Sequence, residues 1–358
     1  MLVEKIENRW IAAFTRTFVL CKVQAGEVVA ILSESQSRRV NVDLARLALE
    51  AMGAKVFEIC LPTPALTAPA PVRSTGASDA IQHLLPVVAA LARADMVVDC
   101  TVEGLLHAPE LPTIMQGADG RAPRLLMVSN EHPEILERTV PDPAMEGGVR
   151  AAMKQLKIAQ QMHVTSDAGT DLQVNLAGAV VGGVWGFCTK PGMVSHWPGG
   201  LALAFPAAGS VNGCLVLAPG DVNLTFKRYL RDTICLTIEN DSVVDISGHG
   251  VDVDMMQAYW QAWEEAEGHR AAYAVSHVGF GLNPAARWDA MAFYDKRDCN
   301  GTELRAFAGN FLYSTGANEV AGRHTLGHFD LPLRGCTVRL DDTTVVAAGQ
   351  LVKPPVVV

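Results

Sequence analysis

The first 160 residues alternate short apolar runs with stretches of helical periodicity. Residues 27–32 (Glu-Val-Val-Ala-Ile-Leu) and 55–60 (Lys-Val-Phe-Glu-Ile-Cys) read as buried strands, as do 96–101 and 124–129. Between the first two, residues 40–52 carry apolar side chains at helical spacing and run into Gly53, a residue suited to ending a helix. Further helices are expected over about 78–94 and 149–161, the second linking the two halves of the chain. The proline-rich stretch 62–71 reads as a loop. This alternation predicts a mainly parallel sheet flanked by helices. Ligands of such sheets gather beyond the C-terminal ends of the strands. Glu103 and His107 follow the end of the strand at 96–101.

From about His163 the pattern changes. Short β-prone runs at 172–176, 213–217, 233–238 and 337–340 are separated by Gly, Pro, Asn and Asp, with one helix at 252–267. The second half is therefore expected to be β-rich with helices packed on it. A chain of 358 residues is long for one average domain. The expected fold class is an α/β domain with a mainly parallel sheet over 1–160, followed by a β-rich α+β domain over 161–358. No Gly-x-Gly-x-x-Gly or Walker-type phosphate loop follows the early strands, so a nucleotide domain is not supported despite the similar rhythm.

Composition narrows the function classes. Hydrophobic residues make up 49% and charged residues 19%, which favours buried cores over disorder. The net charge is -9 with no lysine or arginine run, which disfavours nucleic acid and anionic membrane surfaces as partners. No run reaches the ~18 apolar residues of a membrane span, and no signal peptide is evident. None of the eight cysteines forms a Cys-x-x-Cys pair and several lie in apolar runs. They read as small buried hydrophobes in a reducing, cytoplasmic setting.

The candidate chemistry centres on Gly327-His328-Phe329-Asp330. A His-x-Asp on a strand points both side chains to one face. With a second imidazole from His277, in Val275-Ser276-His277-Val278-Gly279-Phe280-Gly281, this is the ligand set of a mononuclear non-haem Fe(II) site with open positions. Taken alone, such a pair is more often a surface hydrogen-bonding couple. Here Leu331-Pro332-Leu333 follows Asp330, and glycines at 279 and 281 allow a ligand or another strand to approach closely. His196, in a Pro/Gly-bounded loop beside Trp197, is a candidate acid/base or substrate-binding residue. The plainer reading makes Trp197 a packing anchor and His196 a partner of backbone.

These motifs carry a resemblance. Thr165 to Leu172 with its Gly-Thr-Asp-Leu core, Gly279-Phe280-Gly281-Leu282-Asn283-Pro284-Ala285-Ala286, Gly301-Thr302 and His328-Phe329-Asp330 follow the order of the metallo-aminopeptidases typified by aminopeptidase T. The departures are specific. His277 stands where those peptidases carry Glu, residues 207–213 offer no carboxylate, and no His follows Gly301-Thr302 at the expected place. A second metal would lack ligands. The remodelled pattern resembles the family of 2,5-dihydroxypyridine 5,6-dioxygenases, ring-cleaving enzymes on the same scaffold. That resemblance implies one Fe(II) held by His277, His328 and Asp330. It also implies His196 and His107 as catalytic and substrate-binding residues, with Leu106 beside the substrate.

The resemblance further implies a small hydroxylated N-heterocycle and O₂ as reactants and a homo-oligomeric assembly. A metallo-aminopeptidase with two metals, a dioxygenase acting on another hydroxylated ring, and a non-catalytic binding protein on this scaffold remain alternatives at this point.

Overall fold

The computed structural model describes residues 5–65, 78–118, 120–294 and 300–352. Residues 66–71 of the proline-rich stretch 62–71 lie outside the described residues, whereas the expected helix at 78–94 lies within them. The helix itself is shorter than the periodicity predicts. It runs only over Leu85–Leu91, with residues 80–83 in turns, because Pro86 suits a first helical turn and starts the helix late.

The early strands form the parallel sheet expected of them. Lys55–Leu61, Val28–Glu34, Met96–Cys100 and Arg124–Met127 are neighbours in that order, all parallel. Strand periodicity divides their side chains between two cores. Val29 and Ile31 face one side, with Trp10, Phe14, Phe18, Leu44 and Leu49. Ala30 and Leu32 face the other, with Ile81, Val88, Leu91, Leu105 and Ile114. The helix Asn8–Leu20, not anticipated from the sequence, supplies Trp10, Phe14 and Phe18. Its N-cap, Glu7, makes no side-chain cap hydrogen bond and its first turn has no acidic residue, so the usual signals of a helix start are missing.

The fifth strand of this sheet comes from the second half of the chain. Val194–His196 pairs in parallel with Arg124–Met127, placing His196 opposite Met127. A loop is therefore the wrong description of the segment containing His196. Three residues are too few to show strand alternation, so only the pairing reveals it.

Besides a two-stranded ribbon of Val222–Asn223 and Arg228–Tyr229, the second half forms two large antiparallel sheets. One has eight strands, running from Ser242–Gly248 through Val211–Leu217, Asp171–Asn175 and Gln161–Thr165 to Gln350–Leu351. The other contains Phe329–Leu333, Phe311–Thr315, Val275–Gly281, Leu201–Phe205 and Val180–Val184 in that order. Both bury apolar faces in one core with the helix Val251–Glu267, which contributes Met256, Tyr259, Trp260 and Trp263. The helix Pro143–Ile158 joins the halves, with Val149 in the core of the parallel sheet and Ala152 and Leu156 in that of the antiparallel sheets.

Gly279 makes the second of these sheets possible. A Cβ there would lie 2.1 Å from the carbonyl oxygen of Ala202 on the adjoining strand. The glycine admits a neighbouring strand, one of the two close approaches its sequence context suggested. The cysteines only partly follow expectation. Cys21, Cys100, Cys188 and Cys336 are buried, but Cys60 is exposed and Cys214 and Cys235 are half-buried on the outer face of their sheet.

Candidate active site

The site is built from strand register. His277 lies opposite Ser314, and Ser314 lies opposite Asp330, so three adjacent strands bring these side chains into one row. His328 precedes Asp330 by two residues and joins the same face. The register between Val275–Gly281 and Phe311–Thr315 shifts between Val275 and His277, leaving Ser276 as a bulged residue. Bulges re-aim neighbouring side chains, and this one brings Ser276 Oγ beside the His277 ring.

His277, His328 and Asp330 are 4%, 3% and 2% exposed, so polar groups here need partners. Each offers a ligand atom within 4.8 Å of the others; among the described residues they form the cluster able to hold a metal ion. The Nε2 atoms of His277 and His328 lie 3.5 and 3.3 Å from Asp330 Oδ1. Ser276 Oγ donates to the Ala317 carbonyl oxygen at 2.6 Å, which leaves it to accept from His277 Nδ1 at 3.1 Å. This network puts the imidazole proton on Nδ1 and turns the Nε2 lone pair toward the Asp330 carboxylate. Lone pairs converging on one point are favourable with a cation between them, so the donor set fits a divalent metal with two imidazole ligands and one carboxylate.

Electrostatics keep the set in its ligand form. Burial lowers the His277 pKa despite the opposing effect of Asp330. Burial alone would raise the pKa of Asp330, but neighbouring positive charge, first of all the Arg305 guanidinium, outweighs it and holds the carboxyl well below the usual range. Arg305 Nε stands 2.7 Å from Asp330 Oδ2. The backbone around these groups is fixed as well. Tyr259 Oη and Thr225 Oγ1 both donate to the His328 carbonyl oxygen. Asn310 Nδ2 donates to the carbonyls of Leu304 and Arg305, while Asn310 Oδ1 accepts from Gly281 N–H.

A cavity opens in front of this cluster, beyond the C-terminal ends of the parallel strands. It is lined by His277 and Asp330 from the antiparallel sheet, and by Glu103, Leu106, His107 and His196 from the parallel sheet and its loops. The His107 ring centroid lies 4.5 Å from that of His328 and 6.5 Å from that of His277. Burial and the neighbouring imidazoles lower the His107 pKa well below its ordinary value. Leu106, 40% exposed, also lines the cavity.

His196 Nδ1 donates to the Pro198 carbonyl oxygen at 2.6 Å, and burial followed by the Arg305 charge lowers its pKa to about 4. The structural part of the expectation for the His196-Trp197 pair is met. Trp197 is a fully buried anchor whose Nε1 donates to the Thr139 carbonyl oxygen, and His196 bonds to backbone while lining the cavity. The Asn-Pro motif secures this loop, because Asn283 Nδ2 donates to the Gly199 carbonyl oxygen at 2.8 Å.

The family model described as 2,5-dihydroxypyridine 5,6-dioxygenase (NicX) matches residues 9–353. The chain belongs to this family. It is 36% identical over 347 residues, 95% of each chain, to the 2,5-dihydroxypyridine 5,6-dioxygenase of Pseudomonas putida. The structure of 2,5-dihydroxypyridine dioxygenase from Pseudomonas putida KT2440 superposes with a TM-score of 0.88 at 35% identity, covering 98% of this chain and 99% of that one. Wild-type AmpT from Thermus thermophilus matches with a TM-score of 0.63 at 15% identity over 96% of this chain and 99% of that one, a likeness of fold. The fold class is thus that of the dioxygenase family on an aminopeptidase-like scaffold.

Within the family framework, Arg305 is the site residue that sequence reasoning missed. It sits in Gly301-Thr302-Glu303-Leu304-Arg305, a segment considered only for a histidine it lacks. Glu303, the acid in that segment, is turned away to a two-pronged pair with Arg138 at 2.7 and 3.0 Å. Arginine beside a ligand-forming carboxylate is a usable signal, but five short-helix residues do not reveal which side chain faces the cavity.

Proposed function

We propose that this chain opens the ring of 2,5-dihydroxypyridine between C5 and C6, using one Fe(II) held by His277, His328 and Asp330. The observation that carries the single-metal reading is the division of the Asp330 carboxylate. Oδ1 faces the two imidazoles, while Oδ2 is taken by Arg305 at 2.7 Å. A guanidinium thus occupies the side of Asp330 that a second metal would need in a bimetallic hydrolase. Family membership supports the substrate and the reaction class.

Fe(II) in this donor set supplies open coordination positions and the redox chemistry that uses O₂. The protein's own groups do the rest. His107 and Leu106 cover the cavity from the loop after Met96–Cys100, exclude water and contact the ring. His196 is neutral at physiological pH, because its pKa lies near 4. With Nδ1–H held by Pro198, its Nε2 is left to accept a proton from a substrate hydroxyl and return it to the product. The C5–C6 bond breaks and both oxygen atoms of O₂ are retained, so the balanced product is N-formylmaleamic acid. The largely buried free thiols fit a reducing cytoplasm, and we place the enzyme there as a homo-oligomer. No helix among the described residues is long and apolar enough to cross a membrane.

The test is anaerobic loading with Fe(II), metal analysis, then addition of 2,5-dihydroxypyridine and O₂. One iron per chain, O₂ uptake and loss of the substrate's ultraviolet absorbance are expected. Two metals per chain, or a folded iron-loaded protein that leaves the substrate unchanged, would refute the reading. Light scattering tests the assembly.

A further inference from the structure

Glu103 is a buried carboxylate that the roles described so far do not use. It is 6% exposed and lines the same cavity as His277, His107, His196 and Asp330. Lys227 Nζ stands 3.5 Å from its Oε1, reaching across from the antiparallel half. Its Oε2 is buried and has no hydrogen-bond partner among the described residues. A carboxylate oxygen shut away from water without a donor is costly unless a ligand supplies one. An ionised carboxylate only accepts hydrogen bonds. The cavity wall therefore presents a specific demand for a donor at this point.

The substrate has such a donor. A 2-hydroxypyridine interconverts with its 2-pyridone form, whose lactam edge carries an N–H next to the C2 carbonyl. The hydroxyl at C5 is para to that carbonyl and meta to the ring N–H. A ring whose C5 hydroxyl is directed to the His277, His328 and Asp330 cluster turns its lactam edge away from that cluster. We propose that Glu103 Oε2 accepts the lactam N–H of the substrate, making Glu103 the residue that selects an N-heterocycle with a free ring N–H. Lys227 orients the carboxylate by holding Oε1. This rests on the reading of the cavity as the ring-binding site, and it adds the feature that separates a pyridone from an N-alkylated ring. Sites built around a polar group discriminate strongly against ligands that cannot satisfy it.

The test compares 2,5-dihydroxypyridine with N-methyl-5-hydroxy-2-pyridone, which keeps both oxygens but has a methyl group in place of the N–H. Anaerobic dissociation constants from tryptophan fluorescence give a selectivity ratio independent of turnover; kcat and KM are measured alongside. The wild-type protein should prefer the N–H ligand. In Glu103→Ala, affinity for 2,5-dihydroxypyridine should fall about tenfold to a hundredfold, the size expected for loss of a charge-assisted hydrogen bond. Affinity for the N-methyl ligand should rise, because the shortened side chain leaves room for the methyl group. Glu103→Gln, which keeps the shape and an acceptor, should retain most of the preference. Lys227→Met should lower the ratio in the same direction but less than Glu103→Ala, because it loosens the carboxylate that binds the N–H without removing it.

A ratio unchanged in a folded Glu103→Ala protein would overturn the role of Glu103. So would Glu103→Ala and Lys227→Met acting alike on both ligands, since that outcome would make the pair a structural tie. If the wild-type protein bound neither ligand, the ring-site reading itself would fail, and this assignment with it.

Discussion

Arg305 and Asp330 form the closest charge pair of the cavity, with Nε 2.7 Å from Oδ2. The guanidinium does two things at once. It keeps a fully buried carboxylate ionised against the penalty of burial, and it leaves Oδ1 as the oxygen facing the imidazoles. Replacing Arg305 by Met removes a charge that lowers the Asp330 pKa, so that pKa must rise. Protonation of Asp330 then competes with metal at higher pH. Metal retention, followed by a pH titration with Co(II) as a spectroscopic probe, should be lost at a higher pH in Arg305→Met than in the wild-type protein. Identical titration curves would show that Arg305 does not control the carboxylate.

Ser276 fixes the His277 tautomer through a relay that ends on the Ala317 carbonyl oxygen. Ser276→Ala removes the acceptor for Nδ1–H and frees the ring to rotate or to shift its proton to Nε2. Metal affinity should drop about tenfold to a hundredfold, as is typical when an outer partner of a ligating histidine is lost. Competition with a chelator measures it, and Ser276→Thr, which keeps a hydroxyl, should retain more affinity than Ala.

His196 has a folded-state pKa of about 4 against an ordinary value near 6.5. A depressed pKa contributes stability that is fully present above the unfolded-state value and is lost as pH falls toward the folded-state value. Over that window the unfolded state binds more protons than the native one. The difference corresponds to about 3 kcal/mol. Denaturant unfolding of the metal-free protein between pH 7 and 4 should show this loss, and His196→Asn should flatten the profile relative to the wild-type protein. Asparagine can still donate to the Pro198 carbonyl oxygen in place of Nδ1–H.

Gly279→Ala tests whether the cavity wall depends on close strand contact. The added Cβ would lie 2.1 Å from the Ala202 carbonyl oxygen and cannot be relieved by rotating a side chain. Displacement of Leu201–Phe205, which supplies Leu201 and Leu203 to the cavity, should cost about 1–3 kcal/mol in stability and weaken substrate binding. Thermal unfolding checks the first outcome and anaerobic ligand binding the second.

Much of this protein was legible without coordinates. The apolar runs at 27–32, 55–60 and 96–101 carry both local strand propensity and the spacing of helical connections, which together admit few topologies. His277, His328 and Asp330 stand in short motifs whose residue types already limit their chemistry. Glycine at 279, with its backbone against the next strand, was likewise signalled by the spacing of small residues.

Tertiary structure alone decided the environment of those residues. Strand register, a long-range property, aligned His277, Ser314 and Asp330 across three strands. Arg305 lies 25 residues before Asp330 in sequence but reaches it only because Asn310 pins the short helix Thr302–Ala306. His196 joined the parallel sheet through pairing with a segment far upstream, and Glu103 met Lys227 across the two halves of the chain. Local patterns fix which side chains a segment presents, because periodicity is set within a few residues. Which charges meet, and which carboxylate oxygen remains unpartnered, depends on contacts between distant segments, and these exist only once the sheets have packed.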